Sequence, residues 1–166
     1  MATIGRVCQA GITRAFRGTG NAEITVARGL IAQADLLEEQ VVALGGRRID
    51  RQVAPEVVAL HGRVTKDLAG RTGNVWLTSF VSKYLHFHCP IVPVYDSNAA
   101  GSIGSFVKRP VYQRIVTDVR ASLADQPVST AYRNFVAAFV VLYEQAWTET
   151  LLEPSVKEVD YMLLKS

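Results

Sequence analysis

Ser79, Ser82, Lys83, His86, His88, Cys89 and Asp96 all fall within Thr78–Ala99, TSFVSKYLHFHCPIVPVYDSNA. No other segment of the chain gathers so many side chains able to do chemistry. Ser79, Lys83 and His86 are spaced by four and three residues, so on a helix they share a face. Such a face can wall a site that holds an anion or moves a proton. The same pattern also describes the solvated stripe of an amphipathic helix. Asp96 follows a proline-bracketed link, Cys89-Pro90-Ile91-Val92-Pro93, at the expected start of the next helix. Free N–H groups and the dipole at a helix N-terminus stabilise a carboxylate. The position suits a base or transition-state stabiliser, and it equally suits a structural cap. The stiff link would fix the distance from Asp96 to the helix bearing Lys83 and His86.

Two other chemistries fit less well. His86, His88, Cys89 and Asp96 have the right donor types for zinc. Residues two apart on a helix point nearly opposite ways, and no second ligand pair with zinc-like spacing occurs elsewhere. No metal and no cofactor is therefore expected. Ser82, His86 and Asp96 as a hydrolase triad would need a sharp nucleophile turn of the G-x-S-x-G kind, which is absent. Gly101–Ser105, GSIGS, follows no strand and lacks a P-loop lysine, so it reads as close helix packing or a bend.

The elements that must position these residues are helical. Asn21 is expected to cap a helix whose apolar set is Ile24, Ala27, Ile31, Ala34, Leu37, Val41 and Leu44, stopped by Gly45 and Gly46. Pro55 opens a second, with Val57, Val58, Leu60, Val64 and Leu68 inward and Gly70 as its stop. Asn74 is expected to cap a third helix, Asn74–His88, carrying Val75, Leu77, Phe80, Val81, Tyr84 and Leu85. Asp96 or Ser97 starts a short helix to Phe106, and Pro110 opens another with Ile115, Val116, Val119 and Leu123. Ser129 caps a long one, and Ser155-Val156-Lys157-Glu158 reads as a capping box for the last. Trp76, Trp147, Tyr132, Phe135, Phe139 and Tyr143 are assigned to the core. Ile91–Tyr95 is the one strand-like stretch, broken by Pro93. The expectation is a single all-α domain over residues 1–166 with six to eight helices, residues 1–20 being loosely ordered.

Composition sets outer bounds. With 49% hydrophobic and 20% charged residues, disordered and collagen-like classes are excluded. Two distant cysteines, Cys8 and Cys89, make no disulfide framework. No apolar run approaches the roughly 20 residues of a membrane span, so a cytoplasmic location away from membranes is expected. A net charge of +3 is compatible with a nucleic-acid partner without requiring one.

Val81-Ser82-Lys83-Tyr84-Leu85, leading through Pro90-Ile91-Val92-Pro93-Val94-Tyr95 to Asp96-Ser97-Asn98-Ala99, resembles the central part of the helix-hairpin-helix DNA glycosylase superfamily. The likeness is to its 8-oxoguanine glycosylase-fold members, where a helix leads through a proline-containing link to P-V-D-x-x-V and the next helix. It covers Thr78–Ala99; the rest of the chain agrees in being helical. In place of the family's hairpin, L-P-G-V/I-G, stands Leu68-Ala69-Gly70-Arg71-Thr72-Gly73. The resemblance implies a glycosylase-like helical core that hydrolyses the N-glycosidic bond of a damaged or modified base. Asp96 falls where the family keeps its essential aspartate. Phe80 falls near the place of the lysine of bifunctional members, with Lys83 one turn later. On this reading Asp96 and Lys83 are catalytic, and His86, Ser82, Phe80, His88 and Asn98 contact the substrate. Arg71, Lys108, Arg109 and Arg114 engage the nucleic-acid backbone. A second reading stands beside it: a non-catalytic module of the same fold that binds nucleic acid, a nucleotide or a protein, with a protein partner or a homo-oligomer compatible with either.

Overall fold

The computed structural model describes Ile12, residues 21–150 and residues 154–165. Cys8 and nearly all of the expected loose segment 1–20 lie outside them. The described chain is one all-helical domain of eight helices without strands: α1 (Ala22–Ile31), α2 (Ala34–Leu44), α3 (Ala54–Arg71), α4 (Thr78–His88), α5 (Ser97–Phe106), α6 (Pro110–Ser122), α7 (Thr130–Thr150) and α8 (Val156–Lys165). Among the described residues no helix is long and apolar enough to cross a membrane.

The long helix α7 is the axle. Every residue from Phe135 to Tyr143 is buried, as a helix needs when neighbours cover it all round. Those neighbours are α3, α5, α6 and α8, while α3 also packs on α1 and α4. The expected inward set of α3, Val57, Val58, Leu60, Val64 and Leu68, is buried throughout. Each such side chain contributes about 1.5–3 kcal/mol relative to exposure. Gly62 on α3 lets the 127–128 turn come close: a Cβ there would sit 2.4 Å from Val128 Cγ1 and 2.6 Å from the Pro127 carbonyl oxygen.

Several local expectations are corrected. The helix expected from Asn21 to Leu44 is two, broken at Ala32–Gln33, and Ile24 and Ile31 are 52% and 63% exposed. Val26 and Leu30 carry the buried face instead. Gln33 Nε2 donates to the Gly29 carbonyl and to Asp67 Oδ2 of α3, at 3.1 and 2.9 Å. The break is thus anchored by a residue far off in sequence. Gly70 does not stop α3, which continues to Arg71. Asn74 does not cap α4. It closes α3: its N–H donates to the Ala69 carbonyl at 2.8 Å, and Gly73 and Asn74 both take positive φ, 65° and 67°, the left-handed turn that satisfies terminal carbonyls. Trp76 is 51% exposed, and Trp147 is half-buried with the Arg48 guanidinium 3.8 Å above its ring. The capping box at Ser155 forms as expected, with Ser155 N–H to Glu158 Oε2 at 2.7 Å and Glu158 N–H to Ser155 Oγ at 3.2 Å.

Candidate functional site

The residues between α4 and α5 have no ladder to satisfy their backbone, so side chains do it. Three of them clip the link. The Ser82 hydroxyl accepts the Tyr95 N–H at 3.0 Å and donates to the Ser79 carbonyl at 3.0 Å. His86 Nδ1 is 2.7 Å from the Val92 carbonyl; a carbonyl only accepts, so Nδ1 carries the proton. Asp160, from α8, accepts the Val94 N–H on Oδ2 at 3.3 Å. Asp160 Oδ2 is also 4.0 Å from His86 Nδ1. The link thereby joins α4 to α8 and sets where Asp96 begins α5.

Asp96 caps α5 through one oxygen. Oδ1 accepts the N–H groups of Asn98 and Ala99, both at 2.9 Å. Oδ2 accepts no hydrogen bond among the described residues. The extended backbone of Asp96, φ −145° and ψ 174°, is that of an N-cap.

Asp160 is the residue sequence reasoning missed. It is 6% exposed, and its Oδ1 is buried without a partner. Burial, opposed by the Val94 N–H and reinforced by the charge of Asp96, pushes its carboxyl up to about 7. Beside it Tyr132 is fully buried with an unpartnered hydroxyl. Burial and the Asp160 charge push that phenol well above its ordinary range. The Tyr132 ring stacks on His61 of α3, centroids 3.6 Å apart. His61 Nε2–H donates to the Thr78 carbonyl at 3.0 Å, and burial pushes the imidazole down to about 4. A readable signal for Asp160 exists: Val156, Val159, Asp160 and Leu163 follow i, i+3, i+4, i+7 spacing, which puts an acid on the apolar face of its helix.

The other expected site residues scatter. Phe80 is buried in the core, 6.2 Å from the Tyr84 ring. Lys83 is half-buried and forms no ion pair among the described residues. His88 is exposed, tilted 4.8 Å from Tyr84. Asn98 is exposed on the first turn of α5. Arg71 pairs with Asp67 at 2.6 Å. Lys108, Arg109 and Arg114 are exposed around the start of α6. Gly101 and Gly104 pack against nothing: a Cβ at either meets no atom within 4 Å, so they mark open space and not the close packing expected. Among the described residues no three histidine, cysteine or acidic side chains are grouped to hold a metal ion. No family model matches the chain, and no curated protein or solved structure matches it.

Proposed function

We propose that the chain is a glycosylase-like hydrolase that cleaves the N-glycosidic bond of a damaged or modified base in DNA, or of a related nucleotide. The observation that carries this reading is the division of labour within one carboxylate. Asp96 Oδ1 is fixed by two N–H groups, and Oδ2 is uncommitted. A carboxylate so oriented faces the positive charge of an oxocarbenium-like sugar without having to reorganise. As the C1′–N bond breaks, its electron pair leaves with the base, which takes up a proton. Water adds to C1′ through its oxygen and passes one proton to Asp96, which returns it to solvent and so balances the proton taken up by the base. The target base must leave the stack to reach this point. Lys83, half-buried and unpaired, is the cation nearest in sequence on α4. Lys108, Arg109 and Arg114 serve the phosphate backbone. The same reading carries a cytoplasmic protein that needs no cofactor.

A second reading, the non-catalytic module, is favoured by another observation. The polar groups of Ser82 and His86 are committed to the backbone of the link, which makes them scaffold. Base release by wild type from duplex and single-stranded oligonucleotides carrying a panel of lesions tests the choice. Release supports the hydrolase; retained DNA binding with no release on any lesion supports the module.

A further inference from the structure

A cavity of about 380 Å³ lies between α5, α6 and α7, within the range of small-molecule sites. One wall is a face of α5 and its C-cap, with Ala100, Ile103 and Gly104 on the helix and Val107 just past its end, at i, i+3, i+4 and i+7. Across from it stand Val116 of α6 and Phe135 of α7, and Tyr95 also lines the space. The Tyr95 and Phe135 rings meet edge to face, centroids 5.4 Å apart. This lining is apolar and partly aromatic, as the faces of a flat ring require.

The polar groups of the lining are selective. Gln113, Arg120 and Asn134 contribute, and no carboxylate does. Arg120 is exposed and forms no ion pair among the described residues. Asn134 Oδ1 is buried with no hydrogen-bond partner, so the amide has unused capacity. A planar heterocycle with donors and acceptors on its edge, carrying an anionic group, satisfies all of these at once. The guanidinium fork suits a phosphate, and the missing carboxylate leaves a cation nothing to pair with. We propose that this cavity binds a nucleotide, its base between the α5 face and the Tyr95–Phe135 pair and its phosphate on Arg120. The choice of ligand rests on the hydrolase reading, since Asp96 caps the helix that forms the wall and Tyr95 adjoins it in sequence.

The test is a titration of the full chain, followed by amide chemical shifts, with each of the four deoxynucleoside 5′-monophosphates. Ribose 5-phosphate and the free nucleosides serve as partial probes. The expected result is saturable shifts at Tyr95, Ile103 and Asn134 with at least one monophosphate. Arg120→Ala weakens this binding about tenfold, the loss of one charge-assisted contact. Gly104→Leu abolishes it without lowering the melting temperature, because the new side chain fills open space and leucine is the better helix former. Absence of saturable shifts with every monophosphate overturns the proposal. So does equal binding of ribose 5-phosphate, or binding that survives Gly104→Leu. Asp96→Asn is expected to leave monophosphate binding intact. Loss of base release with binding retained in that variant therefore assigns catalysis to Asp96 and leaves this site standing, unchanged release with binding retained strikes the catalytic role of Asp96 alone, and wild-type release without monophosphate binding removes this site alone.

Discussion

Asp160→Asn isolates the most unusual group in the fold. The carboxyl is 6% exposed, accepts only the Val94 N–H, and feels the charge of Asp96, with His86 and Tyr132 as its other titratable neighbours. It titrates at about 7 in the folded chain against an ordinary 3.8. The folded state therefore holds the proton more tightly than the unfolded state. The stability tied to that proton is complete below the ordinary value and is lost as pH rises through about 7. Some three pH units at about 1.36 kcal/mol each make this a loss of about 4 kcal/mol. Asparagine keeps the acceptor for Val94 and never ionises. Its amide N–H groups carry a penalty of about 1–3 kcal/mol, but at every pH alike. Urea unfolding of both proteins across about pH 4 to pH 8 reads the difference. The expected outcome is that the variant gains about 4 kcal/mol on wild type between those limits, or about 8–16 °C in melting temperature. A difference that stays flat within about 0.5 kcal/mol would refute the burial and charge argument.

Three further outcomes follow from the packing. His61 is held neutral by burial, titrating at about 4 against an ordinary 6.5, so its contribution is present above the ordinary value and lost as pH falls toward 4. Replacing it with Gln should remove about 3 kcal/mol of acid sensitivity in that window, where the slope opposes that of Asp160 and flattens the wild-type curve. Ser82→Ala leaves the Tyr95 N–H without its acceptor; a loss of about 1–3 kcal/mol is expected, with faster hydrogen exchange at the Tyr95 amide. Gly62→Ala drives a methyl against the Pro127 carbonyl and should lower stability by about 1–3 kcal/mol in thermal unfolding.

Local pattern was enough where one helix decides its own face. The inward set of α3 and the aromatic set Tyr132, Phe135, Phe139 and Tyr143 of α7 could be read from spacing because α7 and its neighbours bury them wholesale, and the set expected on α6 is buried at Val116, Val119 and Leu123, with Ile115 half-buried. It failed where the decision is made at a distance. The Ala32–Gln33 break depends on Asp67, and Asn74 is drawn into closing α3 before it can cap α4. Asp96 was legible because an N-cap is a local structure. Asp160 carries a local signal, its place on the apolar face of its helix, but its role was not legible because its partner Val94 is 66 residues away. The cavity beside α5 was hidden for the same reason: its walls come from three helices, and the glycines that open it look like packing glycines.

Asp96→Asn reaches the central claim most directly, because Asn caps a helix as well as Asp does and removes only the charge. The measurement is single-turnover base release from lesion-bearing oligonucleotides, wild type beside variant, with melting temperatures to confirm equal folding. Release by wild type, reduced roughly 100-fold or more in the variant, is the predicted result. Release that the substitution leaves unchanged would contradict the role assigned to Asp96.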